Sequence, residues 1–214
     1  MNIDFNITAC PFELDKKLQK YFNYTNGIFF EAGANNGITQ SNTYILEKFF
    51  NWTGILVEPS PHWFNKLKIN RPDSQHFNCA LVSNDWNRET IAGDFGNIEN
   101  LANNLMSTTE QSVIFNRYNH NFDIEIDAKT MNNVISFTKF VNFDLISLDC
   151  EGSEFSILTG FDFNKYRTNF FLIEIFADNQ ENYYNIFNLL KENGYELEEK
   201  LSDGDYLFKN KNKL

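Results

Sequence analysis

The sequence predicts an α/β protein: a mostly parallel sheet with helices on both faces and an antiparallel hairpin at its C-terminal edge. Three observations predict it. Short apolar runs rich in Ile, Leu, Val and Phe alternate with segments of helical period, the pattern of strands joined by crossover helices. The final two strand-like runs, YELEEKL and DYLFKN, are separated only by Ser202-Asp203-Gly204, which marks a tight reversal. With 214 residues, 42% of them hydrophobic and 23 of them Phe, the chain has enough apolar area for one sizeable core and excludes disorder as its main state. It reads as a single domain over 1–214, with an N-terminal helical lead over 1–26 and an insert or lid over 86–121.

The elements follow in order. PFELDKKLQKYF (11–22) puts Phe12, Leu18 and Phe22 near one helical face, with Pro11 suited to a first turn. IFFEAGA (28–34) is a buried strand running into glycine, and a helix is expected over 41–50. ILVEP (55–59) is the second strand, 61–68 a helix broken at Arg71-Pro72, and HFNCALVS (76–83) the third strand. Residues 84–121 are polar, Asn-rich and weakly periodic, too long for a plain connection; such stretches are inserted hairpins, lids or loops. FDIEID (122–127) alternates as a half-exposed strand does, and a helix near 130–138 follows. FDLISLD (143–149) is a fourth buried strand, after which Ser153 can cap a helix that Gly160 ends. FFLIEIF (170–176) is the fifth strand, with a helix over 183–193 stopping at Gly194.

Charge and composition remove several classes. A formal net charge of −11 opposes a surface that tracks nucleic-acid phosphates, so no nucleic-acid partner is expected. The N-terminus lacks a basic start followed by an apolar run, and no window resembles a membrane span. Cys10, Cys79 and Cys150 are odd in number and far apart, as in reduced thiols of a cytoplasmic protein.

In parallel sheets ligands bind beyond the carboxyl ends of the strands, so the residues there matter most. The first strand ends Glu31-Ala32-Gly33-Ala34-Asn35-Asn36-Gly37, and the second ends Glu58-Pro59, 25 residues after Gly33. Glycines permit tight turns and close approach to a ligand. A carboxylate at the second strand's end is placed to accept two hydrogen bonds from a ribose diol. A dinucleotide loop would read GxGxxG and present bare amides to pyrophosphate. Here the loop is GxxxG behind an acid, Glu31, which suits a cationic ligand. S-adenosylmethionine, with a sulfonium, an ammonium and no phosphate, fits that charge.

Four blocks carry a resemblance: FFEAGANNGITQSNTYILEKFFNWTGILVEPSPHWFNKLKINRP (29–72), NCALVSND (78–85), FDLISLDCEGSEFSILTGFDF (143–163) and FLIEIF (171–176). With them the chain resembles the FkbM family of S-adenosylmethionine-dependent methyltransferases. LDCEGSE resembles the family's Asp-x-Glu-Gly-x-Glu signature, while Met131 stands where leucine is expected. The resemblance implies a class I methyltransferase (Rossmann-like) fold, S-adenosyl-L-methionine as cofactor, and O-methylation of a hydroxyl on a sugar, glycan or glycan precursor. It implies that Glu31, Gly33 and Gly37 form the cofactor loop, with Ala34 and Asn35 between them. Glu58, followed by Pro59, takes the ribose; Cys79 and Ala80 lie along the adenine; Ser41, Asn42 and Thr43 hold the cofactor's carboxylate.

For methyl transfer to a hydroxyl, a base within reach raises the rate by about 10²–10⁴-fold. Asp149 and Glu151, at and just beyond the end of the fourth strand, are the first candidates, with Asp149 also placed to hold cofactor; His120 in the insert is the third. Asp149, Glu151 and Glu174 converge at adjacent strand ends, and a hydrogen-bonded acidic pocket without metal is the expectation. Two other functions fit less well. A nucleic-acid methyltransferase would carry an Asn/Asp-Pro-Pro-Tyr/Phe motif where this chain has Asp149-Cys150-Glu151-Gly152. A catalytically inactive binding module would not need the Gly loop, Glu58 and the signature acids together.

Overall fold

The computed structural model describes residues 13–95, 109–113, 122, 124–176 and 179–212. In chain order, α1 (Leu14–Leu18) leads into β1 (Ile28–Ala32), α2 (Tyr44–Phe50), β2 (Thr53–Val57), α3 (Pro61–Asn70) and β3 (Gln75–Phe77). Next come β4 (Ala80–Leu81), β5 (Thr90–Gly93), β6 (Ile124–Lys129), α4 (Met131–Ser136) and β7 (Asn142–Leu148). The last elements are α5 (Glu154–Thr159), β8 (Arg167–Glu174), α6 (Gln180–Glu192), β9 (Tyr195–Lys200) and β10 (Asp205–Asn210).

Seven strands form the main sheet in the order β3-β2-β1-β7-β8-β10-β9. β1, β2, β3, β7 and β8 are parallel; β10 is antiparallel to both β8 and β9, which makes the expected C-terminal hairpin. Alternation along the strands explains the layering. Phe29, Leu56, Leu145, Leu172 and Leu207 point to one face and bury Leu14 and Leu18 of α1, Ile45 and Leu46 of α2 and Leu67 of α3. Phe30, Ile55, Val57, Ile146, Phe171 and Ile173 point to the other, against Met131 and Val134 of α4, Ile157 and Leu158 of α5, and Ile186 and Leu190 of α6. Helices therefore cover both faces. Neighbouring Phe29 and Phe30 are both fully buried, one on each side, and each such burial stabilises the fold by about 1.5–3 kcal/mol.

Three elements differ from the sequence reading. The run 76–83 is two strands: β3 closes the edge of the main sheet, and β4 leaves it to join a three-stranded sheet ordered β4-β6-β5. The break falls at Asn78, whose Nδ2 donates to the carbonyls of Glu58 and Pro59, both at 2.9 Å, instead of continuing the ladder. The polar stretch after it contains β5, antiparallel to β6 with Ile91 opposite Ile126. The N-terminal helix is shorter than expected: Leu14–Leu18 is helical, Glu13 is left-handed at φ 55°, and Pro11 and Phe12 lie outside the described residues. No helix among the described residues is long and apolar enough to cross a membrane.

Candidate functional site

Strand order reverses between β1 and β7, and a crevice of about 290 Å³ opens there beyond the carboxyl ends of the parallel strands. Gly33, Asn35, Asn42, Glu58, Pro59, Cys79, Ala80, Asp149 and Glu151, nine of the residues expected in the site, line it.

The loop after β1 is shaped by contacts that admit no side chain. Gly33 has φ +80°, and a Cβ on it would sit 1.8 Å from the carbonyl oxygen of Asp149. β1 and β7 can therefore approach this closely at their ends only with glycine. Asn35 is also left-handed, at φ 49°, which turns its amide onto Glu58 Oε2 at 2.7 Å. Glu58 Oε1 accepts the Ser60 amide at 2.8 Å. Each carboxylate oxygen thus spends one lone pair on backbone and keeps another for a ligand. Burial pushes the Glu58 carboxyl up to about 7, against the opposing pull of those two amides. On the adjacent wall Cys79 is buried, its thiol pushed up to about 12 by desolvation, and Ala80 lies beside it.

Glu31 requires a correction, because it does not line the crevice. Its carboxylate turns under the loop, where Oε2 accepts the hydroxyls of Ser41 (2.9 Å) and Thr43 (2.6 Å) and Oε1 accepts the Asn42 amide (2.7 Å). The buried guanidinium of Arg71 stands 3.9 Å from it. The acid that prompted the cationic-ligand argument therefore faces an arginine. Ser41, Thr43, Gly37 and Ala34 are likewise off the crevice lining: Ser41 and Thr43 serve Glu31, Ala34 donates its amide to the Val57 carbonyl (3.1 Å), and Gly37 packs against Leu67 and Arg71.

The negative charge of the crevice comes from other residues. Five carboxylates line the crevice, Glu58, Asp149, Glu151, Glu174 and Asp205, and none of the described lining residues is Lys, Arg or His. Asp149 is pushed up to about 6 by burial, and Glu174 is raised further, by burial and by the neighbouring Asp149 charge. Glu151, also raised by burial and by Asp149, sits at φ 54° ahead of Gly152 at φ 87°. The signature's last acid, Glu154, is fully buried and accepts the amides of Cys150 (2.8 Å) and Gly152 (3.2 Å), which holds that turn closed. Ligand atoms of Asp149, Glu151 and Glu174 lie within 4.8 Å of one another, a spacing at which oxygens can also bracket a divalent cation.

His120, the third candidate base, lies outside the described residues. The described part of the insert does reach the site: Val113 donates its amide to the Gly152 carbonyl (3.1 Å), and Thr109, on the crevice wall, meets the Ser153 hydroxyl at 3.2 Å. Sequence reasoning missed Gln40, Trp63, Phe95 and Asp205 as lining residues. Trp63 had a legible signal, an aromatic in the first turn of the helix directly after the β2 acid; the others had none.

S-adenosylmethionine fits this donor set. The Glu58 carboxylate has free lone pairs for a diol, Gly33 keeps the β1 turn close against the end of β7, and the acids opposite suit an ammonium and a sulfonium. A pyrophosphate would meet carboxylates and no cation.

The Methyltransferase FkbM domain model matches residues 31–197. The chain belongs to the FkbM methyltransferase family. S-adenosylmethionine is accordingly its expected cofactor, and the mostly parallel sheet above is the class I methyltransferase fold that the family resemblance implied. No curated protein matches the chain. Among solved structures it is similar to a TehB-like SAM-dependent methyltransferase from Corynebacterium glutamicum (12% identity, 92% of this chain and 88% of that one, TM-score 0.47). It is also similar to M. capricolum TrmK in complex with S-adenosyl-homocysteine (12%, 96% and 70%, TM-score 0.48). A third is precorrin-6y C5,15-methyltransferase from Geobacter metallireducens (8%, 97% and 95%, TM-score 0.48). Likenesses this distant assign no acceptor.

Proposed function

We propose that this FkbM methyltransferase is an O-methyltransferase acting on a hydroxyl of a sugar, glycan or glycan precursor. The observation that carries the reading is the convergence of Asp149, Glu151 and Glu174 at the ends of β7 and β8, their carboxylate oxygens within 4.8 Å of one another on the crevice wall. When bound, S-adenosylmethionine supplies an activated methyl group on a sulfonium leaving group. What remains for the protein is to hold the acceptor in line, exclude water and take the hydroxyl proton. Glu58 would anchor the ribose, the Gly33–Asn35 backbone would lie along the cofactor, and Gln40 and Asn42 would meet its amino-acid end. Asp149, pushed up to about 6 by burial, has the proton affinity a general base needs near neutral pH. Glu151, next on the turn, would orient the acceptor hydroxyl toward it.

The net charge of −11 and the acid-lined crevice favour a sugar over a nucleic acid. The test is methyl transfer from labelled S-adenosylmethionine to a panel of free sugars, nucleotide sugars and oligosaccharides, with structured RNA and DNA alongside, read by mass spectrometry. The reading expects label on a sugar hydroxyl, and a loss of about two to four decades of turnover in Asp149→Asn with cofactor affinity within a few-fold. Label on nucleic acid alone would overturn it. Loss of cofactor affinity with turnover retained at saturation would move Asp149 from base to cofactor ligand.

A further inference from the structure

We infer that Arg71 is a positioning residue for the amino-acid end of the cofactor, acting through the second half of the β1 loop; the inference rests on the S-adenosyl reading of the crevice. Arg71 is the largest fully buried side chain among the described residues, 1% exposed at the end of α3, and it touches no part of the crevice lining except through this loop. Its Nη1 donates to the Gly37 carbonyl (3.0 Å) and the Ser41 hydroxyl (3.1 Å). Its Nη2 donates to Thr43 Oγ1 (3.1 Å) and pairs with Glu47 at 2.8 Å. Glu31 grips the same segment from the other side through Ser41, Asn42 and Thr43. One planar fork thus ties Gly37, Ser41, Thr43 and Glu47 together, a geometry no other side chain supplies. A buried guanidinium is tolerated only when it is paired, and here Glu31 and Glu47 flank it.

The loop is held in two separate halves. The first, Gly33 to Asn35, hangs from the Val57 carbonyl and from Glu58. The second carries Gln40 and Asn42 into the crevice and hangs from Arg71 and Glu31. Asn42 also reaches the Ser147 hydroxyl on β7 at 3.1 Å, which turns this half toward the Asp149 side, away from Glu58 on β2. Loosening Arg71 should therefore disturb what binds over Gln40 and Asn42 and spare what binds at Glu58.

The experiment compares two probes by calorimetry on wild type and Arg71→Lys, well below the melting temperature of each. S-adenosylhomocysteine spans both halves of the loop; 5′-methylthioadenosine lacks the amino-acid end. Lysine keeps the charge but offers one nitrogen in place of a fork. The expected result is that S-adenosylhomocysteine binds about tenfold or more weakly, in line with the loss of one charge-assisted hydrogen bond, while 5′-methylthioadenosine changes by less than about threefold. Thr43→Val, which removes the hydroxyl bridging Arg71 and Glu31, should shift the ratio in the same direction and decides the matter if Arg71→Lys does not fold. Equal loss for both probes, or loss for neither, overturns the inference, since a merely structural arginine would not discriminate between them. Failure of the wild-type protein to bind either probe would instead overturn the cofactor reading and this inference with it.

Discussion

At the scale of single residues, Glu58 carries the plainest expectation. Its two oxygens each hold one backbone amide, from Asn35 and Ser60, and face the crevice with the remaining lone pairs. Glu58→Ala should weaken S-adenosylhomocysteine binding by about 1.5–3 kcal/mol, the range for hydrogen bonds to a charged group. Because burial of this carboxylate already opposes its ionisation, the apo protein should keep its melting temperature within a few degrees; a collapse of apo stability would make Glu58 structural. Glu58 and Asp149 were legible because each stands at a strand end, where topology puts ligands whatever the packing. Glu31 was misread because a sequence shows a charge without its partner. The partner is Arg71, 40 residues away, and nothing around Arg71-Pro72 except a helix end hints that its guanidinium turns inward. The convergence of Glu174 with Asp149 was readable from adjacent strand ends; the inclusion of Asp205 needed the antiparallel return of β10 beside β8, where Asp205 faces Glu174.

At the scale of elements, the site depends on β1 and β7 meeting at full closeness where the strand order reverses. Gly33 sets that distance: its φ of +80° and the 1.8 Å clash awaiting a Cβ act together. Gly33→Ala should force the loop off the Asp149 carbonyl and lower stability by about 1–3 kcal/mol, the range for a strained non-glycine backbone. It should also abolish detectable binding of S-adenosylhomocysteine. Urea melts with calorimetry on the folded variant check both parts; wild-type affinity in Gly33→Ala would show that the close approach is not needed. Parallel strands flanked by helices were easy to read because buried runs and helical periods alternate so regularly. Boundaries inside 76–93 were not, since pairing partner is a tertiary property: β3 and β4 form one apolar run but belong to different sheets, and the four residues of β5 are too few to show a period.

At the scale of the whole molecule, the crevice concentrates buried acid, and stability should depend on pH accordingly. Glu58 and Glu154 are pushed up to about 7 and Asp149 to about 6, all chiefly by burial, from ordinary values of 4.5 and 3.8. Between the ordinary and the raised values the folded protein holds more protons than the unfolded chain, so stability falls as pH rises. The apo melting temperature should decline from pH 5 to pH 8, most steeply between about 5 and 6, midway between the ordinary and the raised values; a flat or rising curve would mean that these acids are better solvated than their burial indicates. A cationic ligand should relieve the same repulsion and flatten the slope. An acid-lined crevice at a strand-order reversal suits S-adenosylmethionine for the same reason. Calorimetric titration of the purified wild-type protein with S-adenosylhomocysteine, S-adenosylmethionine and NAD tests it most directly. Micromolar binding of both sulfur compounds and no heat with NAD is the expected result; binding of NAD with no response to either sulfur compound would overturn the assignment of the crevice to S-adenosylmethionine.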